Sequence, residues 1–157
     1  MKLVLLQVGK TDDKYLAEGL SVFYSRIRKM MPLEVITVKE SRESGSKPES
    51  VVKKEEADAI SSRFKKGDVT ILLDERGEQM SSRGFASLIQ KIMNSGPRRI
   101  VFVTGGAWGL CGELATRADR TISLSSMTFS HQLVRLLFAE QLYRALTIIR
   151  GIPYHHD

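Results

Sequence analysis

The chain has 157 residues, 42% of them hydrophobic and 27% charged, with a net charge of +6 and a pI of about 9.6. That length and balance describe a single soluble domain large enough to bury a core. The apolar runs fall far short of the ~20 residues a membrane span needs. The lone Cys111 excludes an internal disulfide, which points to a reducing cytoplasm. The positive charge permits a polyanion such as RNA as a partner without demanding one. No long block of Lys or Arg is present, so a disordered basic tail is not the means.

Lys2 to Val8 is an apolar run that reads as a strand rather than a signal peptide, because no cleavage pattern follows a longer apolar core. Gly9-Lys10-Thr11-Asp12 comes next. Residues 13–30 carry Leu16, Leu20, Phe23, Tyr24 and Ile27 on one helical face. A second strand is expected over 33–39. A loop over 41–50 holds Gly45 and Pro48, and Pro48 suits the first turn of a helix running to Lys65. Gly67-Asp68 then turns the chain into a third strand, 69–74. A helix over 82–93 stops at Asn94-Ser95-Gly96-Pro97.

A fourth strand, 100–104, runs into Gly105-Gly106-Ala107-Trp108-Gly109-Leu110. A fifth, 121–124, runs into a polar loop before a long helix over 130–150. Five apolar runs alternate with five helical patterns, and the runs are Val/Ile/Leu-rich without strict alternation. That pattern predicts an α/β fold, a parallel sheet with helices on both faces.

The last helix is apolar nearly all round, through Leu133, Val134, Leu136, Leu137, Phe138, Leu142, Tyr143, Leu146, Ile148 and Ile149. Such a helix is buried on more than one side. One side can face the sheet and the other a second copy, which makes a homodimer the expectation. The alternative is a central helix covered by its own neighbours.

The glycine loop lets backbone approach a ligand closely. It is not the dinucleotide fingerprint, which needs its glycines after the first strand, where Gly9 stands alone. By itself a tight surface turn explains it equally well. Paired with the loop after the fifth strand, it can form a crevice at the carboxyl edge of the sheet, where open α/β folds bind ligands. His131 and Arg135 are four apart and would share one helix face. Positive charge at a helix start opposes the macrodipole, a cost easier to understand if an anion visits. A solvated Arg beside a capping His is the plain alternative. Glu75, Glu78 and Glu113 are the carboxylates nearest the crevice, and none forms a paired acid–base set. Cys111, without an evident partner, reads as structural. His155-His156-Asp157 lacks a distant further ligand, so no metal site is expected.

The glycine loop, the run Ser123-Leu124-Ser125-Ser126-Met127-Thr128-Phe129-Ser130-His131-Gln132-Leu133-Val134-Arg135, and the tail Pro153-Tyr154-His155 together resemble the SPOUT class of methyltransferases. Within it the chain is similar to the small ribosomal pseudouridine methyltransferases of the RlmH family, over nearly its whole length. The resemblance implies one SPOUT domain over 1–157 with a trefoil-knotted cofactor region at about 100–157. It implies methyl transfer from S-adenosylmethionine to N3 of a pseudouridine in large-subunit (23S) ribosomal RNA, on assembled ribosomes in the cytoplasm. It implies cofactor contacts at Leu73, Gly105, Leu124, Ser125, Ser126, Met127, Thr128 and Phe129. It also implies a catalytic surface involving Tyr154 and His155. The N3 proton needs a base, for which His155 and His131 are candidates, or a stabilising cation, for which Arg135 or Arg144 are. A ribosome-binding factor with a degenerate pocket and a nucleotide-dependent oxidoreductase are the alternatives from other classes. The intact glycine loop opposes the first and the single glycine after strand one opposes the second.

Overall fold

The structure, a computed structural model, describes residues 1–41 and 47–156. Gly45 of the expected loop and Asp157 of the tail lie outside the described residues. The strands β1 (Lys2–Val8), β2 (Leu33–Val38), β3 (Asp68–Gln79), β4 (Arg99–Thr104) and β5 (Arg120–Ser123) form one sheet. Their order is β2-β1-β4-β3-β5 and every pairing is parallel. The helices are α1 (Lys14–Arg28), α2 (Glu49–Ser61), α3 (Ser82–Asn94), α4 (Gly112–Arg117) and α5 (Leu133–Arg150).

Side-chain alternation along the strands builds two cores. Leu3 and Leu5 of β1, Ile71 and Leu73 of β3, and Ile100 and Phe102 of β4 face α1, α3 and α5. There Phe102 packs against Phe138 at 4.9 Å and Phe85 against Phe138 at 6.0 Å between ring centroids. Val4, Leu6, Leu72, Val101 and Val103 face the opposite way, with Ile60 of α2 and Leu114 of α4. Burying each such side chain contributes ~1.5–3 kcal/mol. A slip of one residue would exchange the two layers, so packing on both faces pins the register.

Several boundaries differ from the sequence reading. Pro48 is the N-cap of α2, with φ −59°, rather than a residue of its first turn. That helix ends at Ser61 instead of reaching Lys65. The turn after it is held by Arg99, whose guanidinium donates to Asp68 at 2.5 and 2.8 Å and to the Arg63 carbonyl at 2.9 Å. Strand β3 runs on to Gln79 rather than stopping near Asp74. Its register to β5 shifts between Leu73 and Glu78, both of which pair with Ile122. Residues 74–77 arch over that point, and a Cβ at Gly77 would sit 2.6 Å from the Ile122 backbone, so only glycine closes the arch.

Helix α5 starts at Leu133, not Ser130. The Ser130 hydroxyl accepts from the Leu133 N–H at 3.2 Å, so Ser130 closes a turn ahead of the helix. Gln132 is held across the fold, its Oε1 accepting from the Asp12 and Asp13 N–H groups at 2.8 and 3.3 Å. The helix ends at Gly151, whose φ of +64° suits glycine. Phe138, Ala139, Leu142, Ala145 and Leu146 are buried, while Leu133, Val134, Leu136, Leu137 and Tyr143 are only partly covered.

Candidate active site

Because β3 lies between β4 and β5, the loops leaving these three strands converge at the carboxyl edge. They enclose a crevice of about 410 Å³, within the ~300–1,000 Å³ of small-molecule sites. Of the residues the resemblance assigns to the cofactor, Leu73, Gly105, Leu124, Ser125, Met127, Thr128 and Phe129 line it and Ser126 does not. His131 and Val134 form part of its rim. Trp108 and Met127 are 46% and 72% exposed, apolar surface that an organic ligand could cover.

The glycine loop is tighter than a generic turn. Gly109, at φ +78°, donates its N–H to the Gly106 carbonyl at 3.0 Å. A Cβ on Gly105 would lie 2.9 Å from the Gly109 carbonyl carbon. Replacing Gly105 by leucine would therefore displace the loop as well as fill the crevice, and is not a clean probe of the ligand. A Cβ on Gly106 would lie 2.8 Å from Oε2 of Glu56, a carboxyl only 4% exposed. Burial raises the Glu56 pKa above its usual value, and that oxygen has no hydrogen-bond partner among the described residues.

The facing loop is ordered by its own hydroxyls. Ser123 donates to the Ser125 carbonyl at 2.7 Å, and the Ser125 hydroxyl accepts from the Met127 N–H at 3.0 Å. Thr128 donates to Glu75 at 2.6 Å, fastening this loop to the arch within β3. Asp74, Glu75 and Arg76 also line the crevice. The Arg76 guanidinium donates to Asp74 at 2.8 and 3.0 Å and holds that carboxyl below its ordinary pKa. Sequence reasoning missed Asp74, Arg76 and Lys53. Asp74 closes the expected strand, Arg76 stands on its unforeseen extension, and Lys53 reaches the crevice from α2, with no local signal in its own helix.

The expected catalytic residues do not gather at the crevice. His131 is at the crevice, but in the turn before α5, so it and Arg135 do not share a helix face. Arg135 is only 3% exposed and points inward. It donates to the Val8 carbonyl and, at 2.9 Å, to Thr11 Oγ1. It is thus a tie within the fold and not a surface contact for phosphate. The tail folds back along α5. Tyr154 packs edge-on against Tyr143 at 4.7 Å and donates to Glu140 at 3.1 Å. Arg144 lies 4.8 Å over the Tyr154 ring and 3.3 Å from His155 Nδ1, and pairs with Glu140 at 2.5 Å. Burial, reinforced by Glu140, raises the Tyr154 pKa. Neither Tyr154 nor His155 lines the crevice.

A second, apolar groove of about 680 Å³ adjoins the crevice and shares Leu124 and Phe129 with it. Phe23 of α1, Met80 and Phe85 beside and on α3, and Leu136 and Leu137 of α5 form its walls.

Comparison with known proteins places this geometry. A family model described as Predicted SPOUT methyltransferase matches residues 1–155. A protein of Christiangramia forsetii named Ribosomal RNA large subunit methyltransferase H is 43% identical over 156 residues, covering 99% of both chains. Proteins of the same name from Porphyromonas gingivalis and Parabacteroides distasonis are 45% and 38% identical, each over the full length of both chains. Among solved structures, a tRNA (m1G37) methyltransferase from Aquifex aeolicus matches with a TM-score of 0.58 at 18% identity, over 100% of this chain and 76% of its own. A probable methyltransferase from Bordetella pertussis matches with a TM-score of 0.58 at 14% identity, over 92% of this chain and 94% of its own. At such identities the two structures speak for the fold alone.

Proposed function

The chain belongs to the SPOUT methyltransferase family, and we propose that it methylates large-subunit ribosomal RNA, moving a methyl group from S-adenosylmethionine to N3 of a pseudouridine on assembled ribosomes. The observation that carries this reading is the crevice between the glycine loop and the Leu124–Phe129 loop, in a chain aligned end to end with relatives named for ribosomal RNA methylation.

The residues present fit the cofactor. Leu73, Leu124, Met127 and Phe129 offer apolar walls to an adenine, and the close-packed backbone of Gly105 to Gly109 offers peptide groups without side chains in the way. Glu75 and Asp74 at the rim supply carboxylates facing a cationic donor. When bound, the cofactor supplies an electrophilic methyl for direct displacement. The protein's share is positioning and proton handling. His131, which lines the crevice, would accept the N3 proton. Arg135 acts at one remove, by fixing the Val8–Thr11 segment against α5. A trefoil knot over about 100–157 is part of this proposal and rests on the family alone.

We further propose a homodimer through α5, supported by the apolar groove at Phe23, Phe85, Leu136 and Leu137. In a dimer, Tyr154, His155 and Arg144 of one protomer would complete the partner's crevice, which explains why they miss their own. No helix among the described residues is long and apolar enough to cross a membrane, in keeping with a ribosome-directed enzyme of the cytoplasm.

The test is twofold. Calorimetry should detect S-adenosylmethionine binding without RNA, and labelled methyl should enter ribosomes that lack the modification. Binding without any transfer to ribosomes would refute the substrate, and absence of binding would refute the enzyme. Light scattering that finds only a 17.6 kDa species at micromolar concentration would refute the dimer.

A further inference from the structure

A groove of about 300 Å³, separate from the cofactor crevice, runs between α1 and the strands β1 and β2. It begins at the carboxyl edge of the sheet beside Lys10 and Thr11 and follows α1 past Tyr24 to Arg28. Both ends carry a cation, and no carboxylate lines it. Lys10 and Arg28 are exposed. Between them lie the amide of Gln7 and the hydroxyls of Thr37 and Tyr24. The Arg28 guanidinium is poised 5.9 Å above the Tyr24 ring. Burial pushes the Tyr24 pKa up to about 12, against the opposing charges of Arg135 and Arg28. Its hydroxyl therefore remains a donor at neutral pH.

The groove is also wired to the cofactor crevice. Thr11 accepts from Arg135 at 2.9 Å, and the neighbouring Asp12 and Asp13 N–H groups donate to Gln132. These partners belong to the 131–135 segment, whose His131 and Val134 line the crevice. Arg135 is a buried cation with no carboxylate in contact among the described residues. Asp12 and Glu40 act on it only at longer range, and its Nε has no hydrogen-bond partner.

We infer that this groove is a second RNA-contacting subsite, in which Lys10 and Arg28 hold phosphodiester groups of the strand flanking the target nucleotide while the hydroxyls of Tyr24 and Thr37 contact the sugar-phosphate backbone, the buried Gln7 amide orienting Thr37 by donating to its Oγ1 at 3.2 Å. The inference rests on the ribosomal RNA reading above and adds to it a location. A cationic groove with an interleaved aromatic is the usual means of tracking a single strand. The lining holds no constellation that would read base sequence. Its contribution is affinity and register, with sequence left to the crevice. The Lys10–Asp13 loop would also transmit strand placement to the rim that carries His131.

The experiment compares wild type with Lys10→Gln and with Lys10→Gln/Arg28→Gln for binding to unmodified ribosomes across a range of KCl. Each lost phosphate contact should make the log–log salt dependence shallower by roughly 0.7, and the double variant by about 1.4. S-adenosylmethionine affinity should stay within about twofold. Arg28 also donates to the Leu33 carbonyl at 3.5 Å, so the double variant can lose stability. Lys10→Gln, exposed and at the strand end, then carries the test alone. An unchanged slope in a folded Lys10→Gln overturns the inference. A parallel titration with inorganic phosphate identifies the source of the anion: loss of phosphate binding with an unchanged ribosome slope would assign the groove to free phosphate and overturn the RNA assignment. Because the readout is binding, wild-type protein that binds ribosomes but transfers no methyl would sink the proposed reaction and leave the groove standing.

Discussion

Arg135→Ala should be among the most damaging single substitutions in this protein, and through stability rather than through RNA. The guanidinium makes two charge-assisted bonds, to the Val8 carbonyl and to Thr11. Each such bond is worth ~1.5–3 kcal/mol, and an orphaned buried carbonyl adds a desolvation cost. Val8 is 1% exposed, so water cannot replace the donor without opening the end of β1. Removing a buried cation returns part of the loss, because its desolvation was unfavourable. A net destabilisation of about 3 kcal/mol is expected. For a domain of this size that lowers Tm by about 6–12 °C. Arg135→Met, which keeps the volume and drops the charge, should lose less than alanine. Arg135→Lys should fall between wild type and alanine, since an ammonium lacks the fork that reaches two acceptors. The assay is urea and thermal unfolding of all three variants. An alanine variant within ~2 °C of wild type, with ribosome affinity reduced, would show that Arg135 is free to reach phosphate and that the inward placement is wrong.

Removing residues 154–157 should cut methyl incorporation into ribosomes by on the order of 100-fold. It should lower Tm by only a few degrees, because the Tyr154–Tyr143 contact is worth ~0.5–1.5 kcal/mol. Near-normal turnover would return the proton to His131 alone. Glu56→Gln tests the carboxyl behind Gly106. Its pKa is raised first by burial and further by Glu40, against a Ser41 N–H that lowers it. A carboxyl with a raised folded pKa stabilises fully below its unfolded value of ~4.3, and that stability is lost as pH rises through the folded pKa. Wild type should therefore lose ground against Glu56→Gln between about pH 4.3 and the folded pKa, and the gap should then level off. A Tm difference independent of pH refutes this.

What the sequence made legible was everything that burial on two faces dictates. The Leu3/Leu5 and Val4/Leu6 alternation, and its echo in Ile100/Phe102 and Val101/Val103, leave no reading but a strand covered on both sides. The crevice followed, since the loops leaving two strands of one parallel sheet open at the same carboxyl edge, although β4 and β5 are not the neighbours their loops suggested and β3 stands between them. What failed was whatever depended on partners remote in the chain. Glu75-Arg76-Gly77-Glu78-Gln79, beyond the expected strand, is a charged stretch. It re-pairs with β5 because backbone pairing ignores side-chain polarity and because Gly77 can lie on Ile122. The turn at His131 and Gln132 is fastened by Asp12 and Asp13, about 120 residues earlier. No local pattern announces such a bond.

Arg135 is the most instructive error, because the information was present. It precedes Phe138, Ala139 and Leu142 by three, four and seven residues, which on a helix is one face. All three of those side chains are buried. The period therefore pointed Arg135 inward, and only the habit of reading arginine as solvated turned it out. Reading it inward raises the next question, which is what accepts its protons. The only polar groups a strand end leaves over are its last carbonyl and the loop that follows. Val8 and Thr11 are those groups. The same reasoning ties Gly9-Lys10-Thr11 to α5, and through α5 to the rim of the crevice. A segment after the first strand that lacks the dinucleotide fingerprint thereby acquires a proposed function, as the fixed wall from which Lys10 faces the substrate.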